Sequence, residues 1–305
     1  MEKDRTGDLE FESIKLNVCG FELSADLWQG GSRNHVLLLH GLGGNSITWH
    51  GVAPTLARAL GATVLAVDLP GFGASRAGPG RVELDTLSEV VLEVMGQAAP
   101  PGTRWHVAGN SLGGVLALRV ACREPARVER VTLAALALPL TWGRSLGELA
   151  ALGGYVPAAV PWLGRWLVAR HVRATGVPGV VDGPVRLLFG DPSLLDPVLR
   201  QRLIAVSEQR LTWAGEAARA LEQTSFSLGV ALLEPGRAQR WICEVRCPVR
   251  AIYGSSDPLY PESAWQRLEL VRPDWQHVRM PCVGHVPQLE APEAFARHML
   301  DSLVC

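Results

Sequence analysis

Hydrophobic positions along this chain follow two periods in turn. Residues 11–29 alternate through Phe21, Leu23, Ala25 and Leu27, which predicts two short strands around a turn at Cys19-Gly20. His35-Val36-Leu37-Leu38-Leu39-His40 is continuous instead, the pattern of a strand buried on both faces of a sheet. Further strands are read at Ala62 to Val67, Trp105 to Asn110, Val128 to Ala137, Val249 to Gly254 and His277 to Met280. Helical spacing fills the gaps: Val52, Leu56 and Leu60; Leu87, Val91, Val94 and Met95; Val115, Leu116, Leu118 and Val120; Phe295, Met299 and Leu303. Thr86 and Glu89 have the spacing of a capping box for the second of these helices. Strand, helix, strand, helix at this rhythm predicts an α/β fold, with a mostly parallel central sheet flanked by helices.

The rhythm breaks between residues 139 and 235, where proline, glycine and helix-like segments replace strands and Trp142, Trp162, Trp166 and Trp213 occur. Two pieces of an α/β core, 1–138 and 236–305, are therefore expected around a mostly helical insertion at 139–235. No internal repeat or low-complexity segment is present.

The uncharged stretch Leu149 to Gly164 carries Gly153, Gly154, Pro157 and Pro161 and falls short of a membrane span, which leaves room only for a peripheral membrane contact. The net charge of -1 is scattered without a basic stripe, which argues against nucleic acid as a partner. No apolar run follows the charged first residues, so no secretory signal is expected and a cytoplasmic protein is. Six cysteines show no paired framework, and Cys243-x-x-x-Cys247 lacks second-half ligands for zinc. Oligomeric state is not legible.

Chemistry concentrates where the strand at Trp105 runs into Gly109-Asn110-Ser111-Leu112-Gly113-Gly114. Gly109 and Gly113 leave bare space around a sharp strand-to-helix turn that would push the Ser111 hydroxyl outward. Gly143-Arg144-Ser145-Leu146-Gly147 matches the same pattern, but no clean strand precedes it, so Ser145 is read as a loop serine.

A serine hydroxyl needs a base oriented by a carboxylate. Asp257, after the strand ending at Gly254, and His285, after the strand ending near Met280, are the candidates, because successive carboxyl ends of a parallel sheet fall on one side. Asp68 is assigned to a turn and Glu290 to a helix start.

The chain at this point resembles the α/β-hydrolase family, through His40-Gly41-Leu42-Gly43-Gly44, Asp68-Leu69-Pro70-Gly71-Phe72-Gly73-Ala74-Ser75, Gly109 to Gly114, Asp257 and Gly284-His285, in that order. The resemblance covers essentially the whole chain, and Ser, Asp, His is the order that family uses. It implies that the 139–235 insertion is a lid, that His40 shapes its loop, and that the N–H groups of Leu42 and Leu112 form the oxyanion hole. It also implies no metal or organic cofactor.

The dinucleotide fingerprint fails, since Ser46 and Arg76 stand where third glycines would be needed. Carbon-carbon bond hydrolases of the family often share Gly-Asn-Ser-x-Gly-Gly but usually carry an aromatic after the histidine, where this chain has Val286. The expected function is therefore cleavage of a carboxylic ester of a small to medium apolar substrate through an acyl-enzyme. A carbon-carbon bond hydrolase, lactonase or thioesterase, or a non-catalytic ligand-binding protein of the same fold, stays open as an alternative.

Overall fold

Cys19 and Gly20 take the left-handed backbone of a tight hairpin turn, with φ of 50° and 80°, and join the first two strands. The computed structural model describes residues 11–142, 163–234 and 236–301, without the side chains of residues 31–33, 163–169 and 171–173. Its strands are β1 (Glu12–Val18), β2 (Phe21–Trp28), β3 (Gly31–Leu39), β4 (Ala62–Val67), β5 (Trp105–Asn110), β6 (Val128–Ala134), β7 (Val249–Gly254) and β8 (Gln276–Met280). They form an 8-stranded sheet in the order β1-β2-β4-β3-β5-β6-β7-β8. The β1–β2 and β2–β4 pairs are antiparallel, and all the others are parallel.

Helices α1 (Ala53–Leu60), α2 (Leu84–Gln97) and α3 (Leu112–Arg123) alternate with the strands. Between β6 and β7 lie α4 (Leu163–Leu188), α5 (Pro197–Arg210), α6 (Ala214–Leu233) and α7 (Arg237–Glu244). Then come α8 (Glu262–Val271), α9 (Pro287–Glu290) and α10 (Pro292–Asp301). Helix α4 breaks at Gly176, whose φ of 65° no helix accommodates. Among the described residues, no helix is long and apolar enough to cross a membrane.

The continuous apolar strands divide their side chains between two cores, because successive residues of a strand point to opposite faces. Leu37, Leu39, Leu65, Val67 and Val107 pack against Leu87, Val91, Leu116 and Val120 of α2 and α3. Val36, Leu38, Val64, Ala66 and Ala108 pack against Leu56 of α1 and Phe295 and Met299 of α10. Burying each such Leu or Val contributes roughly 1.5–3 kcal/mol, so the central strands are held from both sides. A third, smaller core joins Val181 and Val185 of α4, Phe189 just after it and Leu203 of α5 to Ile47, Val286 and Leu289 of the sheet domain.

Two local expectations change. Helix α2 starts at Leu84 with Glu83 as its N-cap, which puts Thr86 inside the first turn and removes the capping box. Its orphan Leu84 N–H is taken up by Ser227 Oγ of α6 at 3.2 Å, a tertiary partner that local spacing cannot reveal. Strand β6 stops at Ala134 rather than Ala137, because Ala135 turns left-handed with φ 44°. Trp142 is buried in the first core, and Trp213 stacks under Arg76, so both are packing residues. Leu303, Ser145, Trp162 and the Trp166 side chain lie outside the described residues.

Candidate active site

Ser111 joins β5 to α3 with φ 51° and ψ -108°, a strained geometry for a residue with a side chain. Two close approaches enforce it. A Cβ on Gly109 would lie 2.1 Å from the Gly113 carbonyl, and one on Gly113 would lie 2.2 Å from Leu39 O. Ser111 N donates to Ala134 O at 3.0 Å, so the turn is also tied to the end of β6. The loop after β3 packs directly against it: a Cβ on Gly41 would fall 3.5 Å from Ser111 Cβ. Leu42 therefore sits beside Ser111, and Leu112 opens α3, where backbone N–H groups have no intrahelical acceptor.

Asp257 and His285 come together across the loops that follow β7 and β8. His285 Nδ1 and Asp257 Oδ2 are 2.8 Å apart, with side chains 4% and 1% exposed. An ionised carboxylate only accepts, so Nδ1 carries the proton and Nε2 keeps its lone pair. Asp257 Oδ1 accepts from Leu259 N at 2.8 Å and Tyr260 N at 3.3 Å, which fixes the carboxylate plane. The Tyr260 ring stacks on the imidazole at 6.1 Å, and its hydroxyl donates to Leu138 O. Among the described residues the buried His285 Nε2 has no hydrogen-bond partner, Ser111 included.

Asn110 links the two halves of the site. Its Nδ2 donates to Ala134 O and to His285 O, each at 3.0 Å, so the residue before Ser111 anchors the histidine loop. Glu290 ends α9 rather than starting a helix, and its carboxylate accepts from Gly284 N and from Gly190 N beyond α4. His285 N donates to Leu188 O at 2.7 Å. The end of α4 and the histidine loop are thus stitched together through backbone, and displacement of one moves the other. Tyr260, Asn110 and Glu290 were not legible as site residues, since only the fold brings them to His285.

His40 has the loop-shaping place expected of it. Its Nε2 accepts from Leu69 N at 3.0 Å, which leaves Nδ1–H to donate to Gly41 O at 2.7 Å. Asp68 accepts from Ser46 N at 2.6 Å and Ala74 N at 2.7 Å and closes the turn assigned to it.

These buried groups set a pH dependence of stability. Burial pushes His40 down from 6.5 to about 4 and His106 down from 6.5 to about 3, and it pushes Asp68 up from 3.8 to about 6. Between pH 6 and 4 the unfolded chain binds protons on two histidines that the native state leaves neutral, while the native state binds one on Asp68. The unfolded state therefore holds the excess, and stability falls with pH by about 1.4 kcal/mol per unit across that window. Urea midpoints at pH 7, 5.5 and 4.5 check this; a flat or rising series would contradict it.

A cavity of about 190 Å³ adjoins the site. Leu42, Gly43, Gly44 and Asn110 form its inner wall, and Val181 and Val185 of α4, Phe189 just after it and Leu203 of α5 its outer wall. Val286, next to His285, closes one end, and Arg210 stands in the wall as its charged side chain. Among the described residues the apolar part of the wall is valine, leucine, proline and phenylalanine. Among the described residues, no group of three His, Cys, Asp or Glu side chains could hold a metal ion.

A strained serine turn at the carboxyl edge of a mostly parallel eight-stranded sheet, with a paired Asp and His in the loops after β7 and β8, is the arrangement of a hydrolase fold. The model of the alpha/beta hydrolase fold family matches residues 34–292, and the chain belongs to that family. It is 30% identical over 270 residues to the dihydrolipoyllysine-residue acetyltransferase component of an acetoin cleaving system from Pseudomonas putida, covering 88% of this chain and 63% of that protein. The chain thus spans less than two thirds of that relative's length. It is 28% identical over 287 residues to the pimeloyl-[acyl-carrier protein] methyl ester esterase of Klebsiella pneumoniae, covering 90% and 95% of the two chains. Among solved structures, Cfl2 of Burkholderia cenocepacia shares the fold with a TM-score of 0.77 at 20% identity, over 98% of this chain and 97% of that one. An acetyltransferase component and a methyl ester esterase are thus both among the chain's relatives.

Proposed function

We propose that this protein is a serine hydrolase that cleaves a carboxylic ester through an acyl-enzyme. The observation that carries the reading is the buried Asp257–His285 pair, which presents an unpartnered, lone-pair-bearing Nε2 in a fold whose strained turn holds Ser111. In this reading Ser111 Oγ attacks the ester carbonyl as His285 Nε2 takes its proton. The N–H groups of Leu42 and Leu112 stabilise the oxyanion, a donor of this kind being worth roughly 3–4 kcal/mol of barrier. His285 then protonates the departing alkoxide and activates water against the acyl-enzyme, while Asp257 holds the imidazole in the tautomer that can accept. In this reading the Ser111–His285 hydrogen bond forms in the substrate complex, where catalytic hydrogen bonds tighten.

Residues 139–235 act as the lid, since α4 and α5 wall the cavity and their apolar side chains keep water from the acyl-enzyme. The Klebsiella relative is named for methyl ester cleavage, which supports the choice of an ester over other carbonyl substrates. The test is turnover of a p-nitrophenyl ester series by the purified protein, together with fluorophosphonate labelling read as a mass shift on the Ser111 peptide. The expected result is turnover with labelling of that peptide. A folded protein that neither labels nor hydrolyses any ester would overturn the proposal.

A further inference from the structure

Arg210, the last residue of α5, stands in the cavity wall with Leu42 and Gly43 of the loop beside Ser111. A guanidinium offers five N–H donors and no acceptor, and enclosing it beside apolar side chains without a counter-charge is costly. Other partly buried arginines avoid that cost. Arg119, Arg200 and Arg272 each pair with a carboxylate. Arg210 forms neither an ion pair nor a hydrogen bond among the described residues, and its Nε is buried without an acceptor.

What holds the side chain is the ring of Phe72, 5.4 Å from the guanidinium carbon. Stacking occupies the face of the guanidinium and leaves its N–H edge for an acceptor in its own plane. Asp68 acts on Arg210 only through longer-range attraction, because both of its oxygens already accept backbone N–H groups of Ser46 and Ala74. Burial lowers the Arg210 pKa from its ordinary value, yet an arginine stays charged at neutral pH. The cavity is thus apolar along α4 and positive at one point.

We propose that Arg210 is the recognition group for a carboxylate on the substrate, so that this site takes esters with a free carboxylate at the far end of the acyl chain, such as half-esters of dicarboxylic acids. This rests on the esterase reading above and narrows its substrate class. A planar carboxylate matches the guanidinium edge through two parallel hydrogen bonds, and the apolar wall accommodates the methylenes between the two ends.

The experiment reads binding and turnover separately. Monomethyl succinate, adipate and suberate and the corresponding dimethyl esters are titrated calorimetrically into the Ser111→Ala protein, with and without Arg210→Gln or Arg210→Lys, and their kcat/KM values are measured on the wild type. At least one half-ester is expected to bind about tenfold or more tightly than its dimethyl ester, the usual worth of a charge-assisted pair. Arg210→Gln should remove that preference, and Arg210→Lys should keep part of it. No charge preference in the Ser111→Ala protein, a measurement that needs no change at Arg210, overturns the proposal. So does a preference that survives Arg210→Gln. An Arg210 that merely balances Asp68 would lower the Tm on substitution and leave the binding ratio unchanged, which also overturns it. Charge preference in binding without turnover of any ester sinks the esterase reading and leaves carboxylate recognition standing.

Discussion

Replacing Ser111 by alanine is expected to reduce kcat for any ester by on the order of 10⁶-fold and to abolish fluorophosphonate labelling, because the residues proposed to act with it have no other nucleophile to activate. The substitution removes one oxygen and keeps the Cβ that the turn already holds at φ 51°, so the thermal midpoint should stay close to that of the wild type. Two close approaches, Gly109 on Gly113 and Gly113 on Leu39, set the turn, and neither involves the hydroxyl. Ser145→Ala, made in the second Gly-x-Ser-x-Gly match, should leave turnover unchanged. Residual activity above about one part in 10⁴ in Ser111→Ala, measured with burst-phase kinetics on a p-nitrophenyl ester, would remove Ser111 from the nucleophile's role.

Asp257→Asn is expected to cost about 10⁴-fold in kcat, with little loss of stability. The reason lies in how the carboxylate is held. Oδ1 accepts from Leu259 N and Tyr260 N, so the asparagine oxygen must stay at that position to keep both donors satisfied. The amide NH₂ then takes the place of Oδ2 and faces His285 Nδ1, which is 2.8 Å from it in the wild type. Facing a donor, Nδ1 has to become an acceptor and the ring proton moves to Nε2, the atom proposed to take the Ser111 proton. Nitrogen-15 chemical shifts of His285 in the two proteins would report the tautomer directly. A variant that keeps Nδ1–H, or turns over at more than a tenth of the wild-type rate, would contradict the assignment.

The site is held together by contacts that make its parts move as one. Glu290 accepts from both Gly284 N and Gly190 N, and a Cβ on Gly190 would lie 2.5 Å from Cys282 O. The histidine loop therefore has no room to shift independently of the end of α4. On the other side, Asn110 ties the same loop to the serine turn. A residue read only as the middle of a Gly-Asn-Ser match thus bridges two loops 175 positions apart.

The sequence by itself determined the alternation of strands and helices, the mostly parallel sheet, the serine turn and the loops after β7 and β8 in which Asp257 and His285 lie. Those features rest on short-range physics: a strand buried on both faces must be apolar throughout, and a turn in which an added Cβ would lie 2.1 Å from a neighbouring carbonyl must be glycine. A glycine before a loop histidine and a strand before an aspartate are likewise local patterns.

What only the tertiary structure decided depends on partners distant in the chain. Helix α2 begins at Leu84 because Ser227 of α6 satisfies its first N–H, and β6 ends at Ala134 because Ala135 bends so that its N–H reaches Ile252 O. Glu290 proved to be a clasp, and the wall of the cavity turned out to be the valines, leucines and phenylalanine of α4 and α5 with one unpaired arginine. Hydrogen-bond satisfaction and charge pairing are properties of neighbours in space. No periodicity along the chain encodes that Arg210 reaches Phe72 and forms no ion pair among the described residues.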